Sequence, residues 1–308
     1  MINRMIGAGF LFLLVLNQAY AQTDPLPSWN DGAAKQAIVE FVKTTTDKAS
    51  PKFVPPAERI AAFDQDGTLW VEDPVYTQFM YCLDRVGALV KEKPELKNVE
   101  PFKTVLSRDR EAIAKLSDKA LFEIVLATQS GMTEEEFRTD VEKWLATAKD
   151  PRWKRPYTEL TYLPMQEVLK YLRANGYRTY IATGGSAGFV RMYSEQVYGI
   201  PPEQVAGTAQ AFKYGYDKDR RPILTREPKI VLDNLDAGKI ENFYLLYGRR
   251  PYAAFGNSSS DDQQMLEFVK AGTGARLSVN DEEKVTRVES RVTFQSSIAP
   301  FLWSLTRD

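Results

Sequence analysis

Residues 60–68 read Ile-Ala-Ala-Phe-Asp-Gln-Asp-Gly-Thr, an apolar run that stops abruptly at two carboxylates. A short continuous apolar run bounded by turn formers predicts a buried strand over 59–63. Asp64 and Asp66 leave this strand together, and Gly67 allows a tight exit. Carboxylates this close repel each other unless a proton or a cation lies between them, and Mg²⁺ with oxygen ligands meets that need. The alternative interpretation is an ordinary Asp/Gly turn.

Strands and helices alternate downstream of Pro164 and predict the fold class. We expect strands at 177–182, 205–212, 252–255 and 275–279, and helices at 165–174, 186–198 and 261–270. Such alternation predicts an α/β protein with a mostly parallel sheet and helices on both faces. Residues 74–148 have helical periodicity throughout, with a capping box at Thr133 and Glu136. They predict a helical subdomain inserted after the first strand.

Two further loops follow predicted strands, and the carboxyl ends of parallel strands gather functional groups. In the first, Thr183, Gly184 and Gly185 precede a predicted helix, whose N-terminal amides bind anions. An ordinary turn capped by Ser186 is the alternative. In the second, Asp261 at a helix start completes a metal site or is merely a first-turn acid.

The composition removes several function classes. The chain of 308 residues contains no histidine, which excludes Ser-His-Asp and Cys-His hydrolases and imidazole-based zinc sites. Cys82 is the single cysteine, so neither an internal disulfide nor a thiolate cluster is expected. A formal net charge of −1 gives no basic surface for nucleic acid.

The N-terminal segment predicts export. Residues 1–21 combine Arg4, an apolar run over 5–16 and a small-residue site at 19–21, as secretory signal peptides do. An uncleaved anchor is the alternative. We expect an exported, periplasmic protein with no stable membrane association after cleavage.

These motifs resemble the haloacid dehalogenase superfamily, and within it the phosphoserine-phosphatase-like branch. The first motif is residues 64–68 and the second is 183–185, while Gly256 and Asn257 with Asp261 resemble the fourth. The resemblance implies a Rossmann-like core over 22–69 and 155–308, with a helical cap over 70–154. It also implies a Mg²⁺-dependent phosphomonoesterase that acts on a small phosphorylated metabolite through an aspartyl-phosphate.

Carried over by position, Asp64 resembles the nucleophile and Asp66 the general acid and base. Asp64, the Asp66 carbonyl and Asp261 would hold Mg²⁺, and Thr183 and Gly184 would hold the phosphoryl group. The family also needs a lysine, for which Lys239 is the choice and Lys229 the alternative.

Two departures from the family pattern matter. Asn257 stands where the fourth motif usually has an aspartate, so one carboxylate is lost and Asn257 becomes a neutral metal ligand or an orienting group. Glu72 and Asp73 lie near the place of the acid that meets the substrate amine, and Glu72 is taken as the substrate-binding candidate. The alternative function is a phosphate- or metabolite-binding protein with weak catalysis on the same fold.

Overall fold

The computed structural model describes residues 24–72, 75–257, 261–280 and 291–293, and within them seven strands form one sheet. The strands are β1 (Ile60–Phe63), β2 (Arg178–Ser186), β3 (Val205–Tyr216), β4 (Pro222–Leu232), β5 (Ala253–Phe255), β6 (Leu277–Asn280) and β7 (Arg291–Thr293). Their order across the sheet is β4-β3-β2-β1-β5-β6-β7. All neighbouring strands are parallel except β3 and β4, which form an antiparallel pair.

Eleven α-helices accompany the sheet in the described part of the chain. They are α1 (Ala33–Thr46), α2 (Thr77–Glu92), α3 (Phe102–Ser107), α4 (Arg110–Ala114), α5 (Asp118–Gln129), α6 (Glu134–Thr147), α7 (Leu163–Ala174), α8 (Ala187–Arg191), α9 (Ser194–Tyr198), α10 (Ala237–Tyr247) and α11 (Gln263–Lys270). Six of them, α2 to α7, follow one another between β1 and β2, and α2 to α6 fall within the predicted cap. The predicted boundaries of a helical cap over 70–154 stay a prediction.

The side chains of β1 alternate between two hydrophobic clusters, one on each face of the sheet. Ala61 and Phe63 belong to a large cluster, to which α1, α2, α3, α5, α6 and α7 also contribute. Ile60 and Ala62 belong to a smaller cluster that is completed by α10 and α11. Because successive strand residues point to opposite faces, a run with no polar residue indicates burial on both. The predicted α/β fold, with helices on both faces of a mostly parallel sheet, is confirmed.

The structure differs from the sequence prediction around β2. The predicted loop at 183–186 is the last part of β2, with an irregular register against β3 between Thr183 and Ser186. The single helix predicted over 186–198 is two short helices, α8 and α9, which a break at 192–193 separates. Tyr193 at this break packs its ring edge-on against Trp70, 4.4 Å between centroids. Ser186 does cap α8, since its side chain accepts from the Phe189 amide.

One other sequence prediction is confirmed at α6, and one concerns residues outside the described part of the chain. The capping box of α6 is present, with Thr133 and Glu136 each accepting a backbone N–H from the other residue. Of the two aromatic residues that follow the first motif, Trp70 is fully buried and Tyr76 is half exposed. The predicted signal peptide lies outside the described residues, and within those residues no helix has both the length and the apolarity to cross a membrane.

Candidate active site

The first loop leaves β1 at the centre of the sheet and is held by its neighbour β5. The Asp64 amide donates to the Phe255 carbonyl at 2.9 Å, which continues the ladder between these strands by one residue. Gly67 then turns the chain with a φ of +80°, a conformation that a side chain opposes. A Cβ at Gly67 would lie 2.0 Å from Asn257 Nδ2, so glycine is also required for space.

Lys239 is the charged centre of the site. It lies on α10, and its side chain is fully buried. Its Nζ atom is 2.7 Å from Asp64 Oδ1, 3.0 Å from Asp261 Oδ2 and 2.5 Å from Asp262 Oδ1. One ammonium therefore joins the loop after β1 to the loop after β5.

The second loop closes the site from the β2 side. A Cβ at Gly184 would lie 2.9 Å from Asp261 Oδ2, and one at Gly185 would lie 3.9 Å from Asp66 Oδ2. The absence of side chains here lets the backbone approach the carboxylates closely. Asn234, which is fully buried, donates from Nδ2 to the Thr183 carbonyl at 2.8 Å and fixes the loop.

Asn257 links the third loop to the first. Its backbone N–H donates to Asp262 Oδ2 at 2.9 Å. Its side-chain Nδ2 donates to the Asp66 carbonyl at 3.2 Å and to Glu72 Oε2 at 3.1 Å. Asn257 thus orients two oxygens of the first loop.

Burial and crowding raise the pKa values of the carboxyl groups. Desolvation, with the nearby charges of Asp64 and Glu72, raises the pKa of Asp66 to about 8. Desolvation also raises the pKa of Asp64, although Lys239 partly opposes it. Burial by itself lowers the pKa of Lys239, but the carboxylates of Asp262, Asp64 and Asp261 outweigh it and hold that pKa well above its usual range. At neutral pH, Asp66 is mainly protonated and Lys239 is charged.

These groups open into a cavity of about 450 Å³. Asp64, Asp66 and Asp261 line one end, together with the glycine loop of β2. Side chains of α2 and α5 line it from the helical insertion, and Ile230 and Leu235 from the core. The carboxyl groups of Asp64, Asp66 and Asp261 and the glycine loop of β2 therefore face the same space.

Comparison with known proteins assigns the chain to a family. Residues 61–267 match the family described as haloacid dehalogenase-like hydrolase. The chain belongs to the haloacid dehalogenase-like hydrolase family. No curated protein matches the sequence significantly.

A solved structure with a TM-score above 0.5 shares the fold of this hydrolase, and two others are similar with lower scores. A conserved protein of unknown function from Anaerococcus prevotii DSM 20548 aligns with a TM-score of 0.53 at 15% identity, over 82% of this chain and 86% of its own. A protein of unknown function from Bordetella pertussis Tohama I aligns with a TM-score of 0.47 at 13% identity, over 73% and 90%. A phosphoserine phosphohydrolase-like protein from Francisella tularensis subsp. tularensis SCHU S4 gives 0.39 at 14% identity, over 79% and 99%. At these identities the likeness concerns the fold alone.

The predicted metal donors of the hydrolase are oxygen atoms, the ligand type that a hard divalent cation takes. Among the described residues, no group of three or more Asp, Glu, His or Cys side chains has the arrangement of a metal centre. The predicted site needs only the Asp64 and Asp261 carboxylates and the Asp66 carbonyl. Both carboxylates lie within 3.0 Å of Lys239 Nζ, and Asp262 shares that ammonium. Three acidic side chains therefore share one ammonium at the place of the predicted metal site.

The structure brings together all the residues predicted for the site of the hydrolase, while their roles remain predictions. Lys239 contacts Asp64, whereas the alternative Lys229 is exposed on β4. Thr183, Gly184 and Glu72 line the cavity. Asn257 directs its amide nitrogen, which cannot bind a metal, toward Asp66 and Glu72. Asp73 lies outside the described residues.

Sequence reasoning missed several polar residues of the hydrolase site. Asp262, which directly precedes α11, is fully buried and contacts Lys239. Asn234 and Gln78 each hold the backbone of the β2 loop, Gln78 by accepting the Ser186 amide at 2.8 Å. Adjacent acids at 261–262 offered a signal for Asp262, because two neighbouring residues cannot both serve as the same cap. No local signal marked Asn234 or Gln78.

Proposed function

We propose that this hydrolase is a Mg²⁺-dependent phosphomonoesterase that acts on a small phosphorylated metabolite. The observation that carries the proposal is the contact of one buried ammonium, Lys239, with both Asp64 and Asp261, beside the protonated Asp66. Phosphoryl transfer depends mainly on positioning and on neutralising charge, and this arrangement supplies both.

In the first step, the Asp64 carboxylate attacks the phosphorus atom of the ester and forms an aspartyl-phosphate. The bond from phosphorus to the alcohol oxygen breaks, and Asp66 gives its proton to that oxygen. The raised pKa of Asp66, about 8, keeps this proton available at neutral pH. Thr183 and the Gly184 amide hold the phosphoryl oxygens.

In the second step, the Asp66 carboxylate takes a proton from a water molecule, whose oxygen attacks the phosphorus atom. The bond to Asp64 breaks, inorganic phosphate leaves, and both aspartates return to their starting states. Lys239 stays charged throughout and balances the negative charge of Asp64.

The metal site would consist of the Asp64 and Asp261 carboxylates and the Asp66 carbonyl. Mg²⁺ bound there would neutralise charge on the transferring phosphoryl group. Asn257 supports the site by holding the Asp66 carbonyl, which it contacts at 3.2 Å.

The test is phosphate release from p-nitrophenyl phosphate and a panel of natural phosphomonoesters, phosphoserine included, with Mg²⁺ and with EDTA. Asp64→Asn abolishes turnover, since an amide does not replace the nucleophile, while EDTA suppresses it reversibly. Asp219→Asn is the control, because Asp219 is exposed in the turn between β3 and β4. Full activity of Asp64→Asn overturns the nucleophile assignment. Phosphate binding without turnover in the native protein supports instead the weakly catalytic binding protein that Asn257 suggests.

We also propose that the protein is exported after cleavage of residues 1–21, which have the charge and apolarity pattern of a signal peptide. The test is to express the full sequence, including residues 1–21, in a bacterial host and to sequence the N-terminus of the product. A mature chain that begins at Gln22 in the periplasmic fraction supports export, whereas an intact Met1 contradicts it.

A further inference from the structure

The charged side chains that line the cavity are all acidic among the described residues. Asp64, Asp66 and Asp261 lie at the reaction centre, and Glu72 and Asp236 lie near it. No lysine or arginine side chain lines the cavity in the described part of the chain. A second anionic group on the substrate would therefore lose its hydration near negative charges.

Two basic residues lie close by but are already engaged. Lys239 is fully buried beneath the carboxylates that it contacts. Arg226 on β4 is 2% exposed and forms an ion pair with Glu134 at 2.8 Å. Arg226 also donates to the Oε1 atoms of Gln129 and Gln210, at 3.2 Å and 2.9 Å. The uncharged side-chain amides of Gln129 and Gln210 therefore line the cavity, and the guanidinium that binds them does not.

Six apolar side chains also line the cavity. Phe79 of α2 and Leu121, Phe122 and Val125 of α5 come from the helical insertion. Ile230 of β4 and Leu235 come from the core, and Leu235 lies beside the backbone of Gly184. In the described part of the chain, each of these side chains is partly exposed, so it keeps apolar surface available for a ligand. Pockets of this kind bind the apolar body of a ligand, while a few polar groups set its orientation.

We propose that the substrate is a phosphomonoester of an uncharged alcohol with an apolar body about the size of a ring. This inference rests on the proposed phosphomonoesterase function and adds the class of the alcohol. The phosphoryl group lies at the carboxylates and the β2 loop, and the alcohol lies between α5 and β4. Phosphoserine, which carries an ammonium and a carboxylate, does not match these walls.

The test uses three esters with nearly the same phenolic leaving group and different charge. They are the phosphate esters of para-hydroxyphenylacetamide, para-hydroxyphenylacetate and tyramine, which are neutral, anionic and cationic in the alcohol. We expect kcat/KM for the neutral ester to exceed that for the anionic ester at least about tenfold. Equal or better use of the anionic ester overturns the proposal, and so does a preference for the cationic one.

Variants of α5 test whether the apolar side chains of this helix cause the preference for the neutral ester. Leu121→Arg adds a cation beside the alcohol and should reverse the order of the neutral and anionic esters. Phe122→Ala should lower kcat/KM for the neutral ester by about tenfold or more, through a higher KM. Glu123→Ala is the matched control, since Glu123 is exposed on the same helix and does not line the cavity. An unchanged order of the esters in Leu121→Arg contradicts the proposed wall.

Phenyl phosphate separates a failure of the proposed phosphomonoesterase function from a failure of the proposed alcohol class. Hydrolysis of phenyl phosphate with Mg²⁺ tests the phosphomonoesterase function. The ratio of kcat/KM between the charged and the neutral esters tests the alcohol class. If no ester is hydrolysed, the proposed function fails, and calorimetric titration of the three esters into Asp64→Asn still decides the class. Tighter binding of the neutral ester supports the proposed wall, and equal binding of all three overturns it.

Discussion

Replacing Lys239 by methionine removes the positive charge that three buried carboxylates share. Nζ lies within 3.0 Å of an oxygen of Asp64, Asp261 and Asp262, and Asp262 is fully buried. Methionine keeps most of the volume, so the loss is mainly electrostatic. Breaking a buried ion pair from one side costs roughly 3–5 kcal/mol, because the remaining charge is left uncompensated. We expect the free energy of unfolding to fall by about 4 kcal/mol at neutral pH.

The assay is guanidinium denaturation of the protein in EDTA, followed by circular dichroism, so that no cation replaces the lost ammonium. Lys229→Met is the matched control, since Lys229 is exposed on β4 and its loss changes stability by no more than about 0.5 kcal/mol.

The double variant Lys239→Met/Asp262→Asn tests the cause. If uncompensated carboxylate charge is responsible, neutralising Asp262 recovers stability, and the two changes are coupled by about 1–3 kcal/mol. The asparagine Oδ1 still accepts the Asn257 amide that Asp262 now binds. Strict additivity, or a single variant as stable as the native protein, refutes the electrostatic reasoning.

Three further predictions concern the pH, the first turn and the buried arginine. The folded-state pKa of Asp66 is raised from 3.8 to about 8, so its contribution to stability is fully present below 3.8 and is lost as the pH rises through about 8. Calorimetry in EDTA should show the melting temperature falling across this interval, less steeply in Asp66→Asn, and an equal slope contradicts the assignment. Gly67→Ala should cost about 2 kcal/mol in urea denaturation, from positive φ and a contact with Asn257. The control Gly131→Ala has a similar φ in open space and should cost only about 1 kcal/mol, so equal losses refute the steric part. Arg226→Met removes the partner of Glu134 and of two glutamines and should cost about 3 kcal/mol in guanidinium denaturation, whereas the exposed Arg221→Met should be neutral. A loss below about 1 kcal/mol in Arg226→Met would show that this network is not stabilising.

Local patterns were sufficient to predict the centre of the fold. The apolar run before Asp64 forms β1, and the predicted strand over 205–212 is the inner part of β3. These segments are buried on both faces, so their hydrophobicity is continuous and easily recognised. Most candidate site residues lie at the carboxyl ends of β1, β2 and β5, because parallel strands end at one edge of the sheet.

The β3–β4 hairpin was not predicted beyond residue 212, for physical reasons. β4 contains Pro222 and Pro228, which weaken a strand pattern but are tolerated at the edge of a sheet. The outer part of β3 exposes aromatic residues, including Tyr214 and Tyr216, and so lacks the alternation of a half-buried strand. Arg226 gives no local signal of burial, because only the hairpin places it against α5 and α6.

The helix that carries Lys239 also gave no local signal. α10 begins after Asp236, which has a φ of +50° and no capping hydrogen bond from its side chain. Gly238 packs so closely that a Cβ there would lie 2.3 Å from the Asp233 carbonyl. The choice of Lys239 over Lys229 came from the family resemblance. The burial of Lys239 depends on tertiary packing, which no local sequence pattern indicates.

The central claim is that Asp64 becomes phosphorylated during turnover. The most direct measurement is mass spectrometry of the protein quenched in acid within one turnover of phenyl phosphate and Mg²⁺, then digested with pepsin. We predict the added mass of one phosphoryl group on the peptide that contains Asp64, and its loss in Asp64→Asn. Turnover that leaves Asp64 unmodified at every quench time, or a phosphoryl group on another residue, would contradict the account.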